Sequence, residues 1–176
     1  MPAEALRALA LMFCLSLGAS PASADIGFRN LDDPDAPQWQ EEETALPAFP
    51  KEENLREFYV GELTRHRFFI DAATLAVGQD GVVRYVLVVR TSGGATNITL
   101  EGMRCATREL KIYATGQRDG IWSRARLDRW RPIENKPVNR QHAALFRDLF
   151  CPAGTPIRSP DEGREALRRG KHPEAV

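Results

Sequence analysis

The sequence is poor in the residues from which most catalytic and metal centres are built. It holds three histidines and three cysteines in 176 residues. None of the histidines, His66, His142 and His172, stands in an H-E-x-x-H or comparable ligand spacing. The G-x-S-x-G elbow, the phosphate-binding G-x-x-x-x-G-K-[ST] loop and the dinucleotide-binding G-x-G-x-x-G turn are all missing. Net charge is missing too: 24 basic residues balance 24 acidic ones, so the chain lacks the overall electrostatic footprint of a nucleic-acid binder. Beyond the first 24 residues no apolar run approaches the ~20 residues of a transmembrane helix. The expectation is a protein without cofactor, metal, nucleic-acid partner or membrane span.

What is present at the start is a targeting pattern. Arg7 precedes the apolar run ALALMFCLSL (8–17), and Ala22-Ser23-Ala24 supplies the small residues of a cleavage site, so residues 1–24 read as a signal peptide cut before Asp25. Cys14 lies inside the apolar run rather than behind a small residue at its end, which argues against a lipid anchor. Two cysteines then remain, Cys105 and Cys151, in a chain bound for an oxidising compartment. There an even count points to a disulfide rather than to a nucleophile or a metal ligand. The expected location is the periplasm or cell surface of a Gram-negative bacterium.

Charge is balanced overall and segregated locally. Residues 25–62 carry eleven acidic and three basic side chains, and residues 104–147 carry eleven basic and four acidic ones. Either the acidic segment lies along the basic one, or the basic face awaits an anionic partner. From Asp25 to Pro50 the sequence has prolines, carboxylates and no period. Residues 25–38 read as a flexible acidic leader, with Trp39, Leu46 and Phe49 as apolar anchors behind it and Glu41 to Glu43 as a solvated face.

Folded structure is expected from about Leu55. Phe58-Tyr59-Val60 suggests a first strand, Arg67 to Asp71 a second, and Asp80-Gly81 a hairpin turn before the strongest strand, VVRYVLVVR (82–90). In that strand Val83, Tyr85, Leu87 and Val89 share a core face. Val82, Arg84, Val86, Val88 and Arg90 share the other, mixed enough to suit partial cover by a helix. In the next strand Ile98 and Leu100 point one way and Asn97, Thr99 and Glu101 the other, as half-buried alternation. Leu110, Ile112 and Ala114 repeat that alternation, and Ile121 to Leu127 reads as a sixth strand. The period changes after Pro137: Asn139 is the N-cap of a helix to Phe150 whose Ala143, Phe146, Leu149 and Phe150 form its apolar stripe. Ser159-Pro160-Asp161-Glu162 is a capping box for a short, weakly docked surface helix ending at Gly170, with a frayed KHPEAV tail. The fold class is α+β: an antiparallel meander of about six strands, one C-terminal helix packed on it and a short terminal helix.

The ordered segments ALPAFPKEENLREFYV, RFFIDAATLAVGQDGVVRYVLVVRT, EGMRCATRELKIYATG, WRPIENKPVNRQHAALFRDLFCP and IRSPDEGREALRRG resemble the cryptic neisserial protein-like family. The resemblance runs from about Trp39 to His172. It implies one exported domain, 39–173, with 174–176 as tail, and it transfers no catalytic residues. In the order of an aromatic-Ile-Asp strand end (Phe69-Ile70-Asp71), central strand, cysteine, tryptophan, helix and cysteine, the chain is also more distantly similar to the surface-adhesin protein E family. That similarity implies a twisted sheet with a packed helix and an adhesive role.

The candidate site is the basic segment. Arg108, Arg124, Arg126, Arg129, Trp130, Arg131 and Arg140 form the expected binding set, because guanidinium forks grip carboxylates or phosphates and stack on indole. The expected partner of this non-enzymatic binding module is an anionic envelope component or an acidic protein, and pairing of two copies through an open sheet edge is left open. The alternative is a hydrolase-type enzyme acting on an anionic cell-wall substrate through His142 or Asp71. Against it, the two are as readily a helix-start residue and a strand-end acceptor.

Overall fold

A computed structural model of the chain describes residues 38–175. The expected signal peptide, its expected cleavage point and the expected leader up to Pro37 lie outside these residues. Eight strands form one antiparallel sheet: β1 (Leu55–Phe58), β2 (Arg67–Asp71), β3 (Ala76–Val77), β4 (Val82–Arg90), β5 (Thr96–Arg104), β6 (Glu109–Gly116), β7 (Trp122–Arg124) and β8 (Arg131–Pro132). The main path runs β1-β2-β4-β5-β6-β7, the expected meander of six. The two short extra strands extend it without widening it. β3 pairs with β4 further along from β2, and β8 pairs with β6 at the end that β7 leaves free. The first strand begins three residues earlier than expected, and the sixth shrinks to three residues because the chain leaves the sheet after Arg124.

The helical layer follows. Helix α1 (Arg140–Ala144) runs directly into a π-helical stretch, Leu145–Phe150, where the Cys151 N–H donates to the Phe146 carbonyl at 3.1 Å, five residues back. Asn139 holds the N-cap position without a side-chain cap bond. A second helix, α2 (Pro160–Arg169), is capped as read: the Glu162 N–H donates to Ser159 Oγ at 3.2 Å, and Gly170 closes it in the left-handed region at φ 78°. The Glu162 carboxylate reaches back to the Arg158 N–H rather than to that of Ser159. Contrary to the expectation of weak docking, Ala166 and Leu167 are buried in the main core, and Gly163 is needed because a Cβ there would meet Ile157 and Leu75 at 2.6 Å. The tail is pinned as well. His172 is buried, its N–H donating to the Asp148 carbonyl at 2.7 Å and its ring bonding Glu162 at 2.9 Å.

The two faces of the sheet are covered by different things, and the assignment reverses the expected one. The helices pack on the face of Ile70, Val83, Tyr85, Leu87, Met103 and Leu110 through Leu145, Leu149, Phe150 and Ile157. The mixed face, with Phe69, Val86, Val88 and Leu100, is crossed by residues 38–50, a strap without regular secondary structure. Helices take the face on which β4 is purely apolar because they bring only side chains to it, whereas Arg84 on the mixed face needs acceptors, and an irregular backbone has carbonyls to spare. Arg84 accordingly donates to Thr44 Oγ1 at 2.8 Å, to the Glu42 carbonyl at 3.0 Å and to Asp80 at 2.6 Å.

The sixth element also departs from simple alternation. Leu100 faces Ala114 and Glu101 faces Ile112, so Tyr113 is the extra residue of a β-bulge. The bulge sends both Tyr113 and Ala114 toward the strap while Leu110 and Ile112 stay on the helical side. The ring of Tyr113 lies over Gly102, where a Cβ would stand 2.6 Å from its hydroxyl.

Candidate functional site

The basic segment divides into three parts. The first is consumed by the strap, so that Glu41 is not the solvated residue expected. Its carboxylate pairs with Lys111 Nζ at 2.9 Å and accepts from the Tyr113 hydroxyl at 2.8 Å and from the indole N–H of Trp130 at 3.1 Å. Burial would pull the Lys111 ammonium down, but Asp128 at 2.5 Å and Glu41 more than offset it and hold its pKa above the ordinary value. Trp130 packs edge-on against Trp39 with centroids 6.0 Å apart, and the Arg104 guanidinium lies 3.7 Å from the Trp39 ring. Trp122 donates to the Pro47 carbonyl and meets Phe49 at 5.3 Å. Trp39, though itself partly open to solvent, and Phe49 are thus anchors through these ring contacts, while Leu46 is exposed. Trp130, placed in the expected binding set, is packing for the strap.

The second part is a shoulder beyond β6. Arg124, Arg126, Arg129 and Arg131 are all exposed, and none forms an ion pair with a carboxylate among the described residues. Arg124, Arg126 and Arg131 surround a depression of 350 Å³ floored by Ile112, with the exposed Leu127 at its side. Arg108 sits apart from them in the β5–β6 turn, at φ 53°, with its guanidinium 5.3 Å from the Phe146 ring.

The third part is Arg140, at the mouth of a groove of 770 Å³ on the helical face. The groove exists because α1 starts above the middle of the sheet and leaves the far ends of β4 and β5 uncovered. The loop from Val60 to His66 forms its other wall. At its floor lies a pair the sequence did not announce. Glu101, 2 % exposed, faces Tyr85 across the β4–β5 ladder and bonds His142, 6 % exposed, at 2.9 Å. The Thr99 hydroxyl donates to the other carboxylate oxygen at 2.7 Å. Burial pushes the Glu101 carboxyl up, but the charge and hydrogen bond of His142, with that of Thr99, win and hold it below its usual value. Burial, and then the Glu101 charge beside it, push the Tyr85 phenol well above its usual value. The Tyr85 hydroxyl and His142 Nδ1 are both buried without a hydrogen-bond partner. Glu101 was assigned to a solvent face because strand alternation alone cannot tell which face a later helix will cover.

Asp71, named with His142 as an enzymatic alternative, does not join it. It does not line the groove, and its Oδ1 accepts from the Ala73 N–H at 3.1 Å, closing the turn after β2. Burial raises its pKa. Cys105 and Cys151 form the expected disulfide, with Cα atoms 5.4 Å apart. Among the described residues no group of three or more His, Cys, Asp or Glu is placed to hold a metal ion, and no helix is long and apolar enough to cross a membrane.

A sequence model of the CNP1-like family matches residues 34–168, which includes the strap, the whole sheet and nearly all of α2. The chain belongs to the CNP1-like family. It is 26 % identical over 179 residues to Cryptic neisserial protein 1 of Neisseria gonorrhoeae, covering 85 % of this chain and 86 % of that protein. No solved structure matches. The family boundary at residue 34 makes the strap part of the domain rather than an appendage to it.

Proposed function

We propose that the chain is a non-enzymatic binding module of the bacterial envelope, with the shoulder of Arg124, Arg126, Arg129 and Arg131 as its contact face. One observation carries this reading: the strap and local carboxylates engage Arg104, Lys111 and Arg147, yet these four guanidinium groups stay exposed without an acidic partner among the described residues. Four unpaired forks beside an apolar depression suit an anionic envelope component or an acidic protein, since each fork gives a planar two-point grip on a carboxylate or phosphate.

The test is charge reversal with Arg124→Glu, Arg126→Glu and Arg129→Glu together, scored in cells by photo-crosslinking from a probe at Arg131. Partner capture is expected to fall by at least about tenfold, because opposed charges become like charges across the contact. The melting temperature should stay within a few degrees, since exposed side chains remote from the core rarely matter to stability. Undiminished capture by the reversed variant would remove the shoulder as the contact face.

A further inference from the structure

We propose that the groove between the Val60–His66 loop and the start of α1 is a binding site for a monomeric acyl carboxylate, adjoining the arginine shoulder at Ile112 but lined by arginines of its own. Its volume of 770 Å³ is that of a small-molecule site rather than of a packing defect. Val60, Leu63, Phe68, Leu87, Val89 and Ile112 give it an apolar lining suited to a hydrocarbon chain. Leu63 is 82 % exposed, a large apolar side chain held in water beside an apolar groove, and an acyl chain laid along the groove would give it cover.

Charge decides the head group. Arg65 and Arg140 both line the groove, and neither has an acidic partner among the described residues. The one carboxylate in the lining, Glu101, is already engaged by His142 and Thr99 at the floor, so it does not neutralise the two arginines. A ligand with one anionic end and an apolar body matches both halves. A sugar or a polyanion would leave the apolar wall unused, and an apolar cation would face two guanidinium groups. The floor has spare hydrogen-bonding capacity as well: His142 Nδ1, more than nine-tenths buried with its residue, has no partner.

Laurate below its micellar range is the probe, titrated calorimetrically into the purified chain, with dodecanol and dodecyltrimethylammonium as neutral and cationic counterparts. Saturable one-to-one binding of laurate is expected, weaker for the alcohol and absent for the cation. Arg65→Ala and Arg140→Ala should each weaken it about tenfold, the worth of one charge-assisted contact. Leu63→Ser, at an exposed loop position where folding is not at stake, should weaken it too. Arg129→Glu, at a shoulder arginine that lines neither the groove nor the depression beside it, should leave laurate binding unchanged, which separates this site from the contact face proposed above. Absence of saturable laurate binding, equal binding of the cation, or full affinity in both arginine variants would overturn the proposal.

Discussion

Replacing His142 with alanine is expected to destabilise the domain by about 3 kcal/mol at neutral pH, the upper end of the usual cost of leaving a buried group without its hydrogen-bond partner, because the group left behind is a carboxylate. The reason lies in Glu101, whose carboxylate is 2 % exposed and keeps only the Thr99 hydroxyl once the imidazole is gone. The pH dependence should distinguish this cause from a simple cavity. In the native chain the Glu101 carboxyl is held below its usual value, so its contribution is present above the unfolded carboxylate pKa of about 4.3 and is lost as pH falls through the lower folded value. In the variant, burial acts without an opposing charge and pushes the carboxyl up. The sign then reverses: the protonated form is the one the fold tolerates, and stability falls as pH rises past about 4.3. Chemical denaturation at a series of pH values should therefore show a difference between native and variant chains that shrinks toward pH 4. Glu101→Gln in the same background should recover part of the loss at pH 7. A difference that stays constant with pH would assign the effect to lost packing alone.

Reduction of the Cys105–Cys151 bond should have an effect of similar size. The cysteines are 46 residues apart, and closing a loop of that length in the unfolded chain corresponds to about 4 kcal/mol in the chain-entropy account. For a domain of this size that is a fall in melting temperature on the order of 10 °C. The bond joins the turn after β5 to the end of the π-helical stretch, where the Cys151 N–H already holds the Phe146 carbonyl. Its loss should loosen the helical layer first. Thermal melts with and without reductant measure the total. Hydrogen exchange should show amides of residues 140–150 losing protection before those of β4 and β5. Identical melts in the two conditions would mean that packing of Leu145, Leu149 and Phe150 suffices without the covalent tie.

The parts of this architecture that could be read in advance are those governed by local periodicity. β4 declares itself through nine residues that include five valines, a leucine and a tyrosine, and α2 through the Ser159 cap and the Gly170 stop, because these signals act within a few residues. The cysteines announced their pairing through their number. Glu101 could not be read in this way. Its burial depends on His142, 41 residues away, and a carboxylate in an alternating strand reads as the solvent side unless that partner is known. Lys111 and Arg84 escaped for a related reason, since beside Asp128 and Asp80 they depend on Glu41, Glu42 and Thr44 in a segment with no period at all. The bulge at Tyr113 was hidden because one extra residue changes the facing of a strand without changing its composition. Of the expected set, Arg124, Arg126 and Arg131 line one depression, and Arg129 is exposed in the segment between β7 and β8. Arg140 lies at the groove because it opens α1, Arg108 lies over Phe146 from the β5–β6 turn, and Trp130 reaches the strap from the segment between β7 and β8.

The strap imposes an order on assembly. The side-chain hydrogen bonds that join it to the sheet reach partners 37 to 89 residues further along the chain, the most distant being the Trp130 indole bound to Glu41. Contacts across such separations carry a loop-closure penalty that local pairing has to offset beforehand. Residues 38–50 emerge from the ribosome before any strand of the sheet; their bonds to Asp80 and Arg84 need only the start of β4, but Glu41 has no partner until β6 has paired with β5 and Trp130 has come into position. The first part of the domain to be synthesised is among the last to be completed.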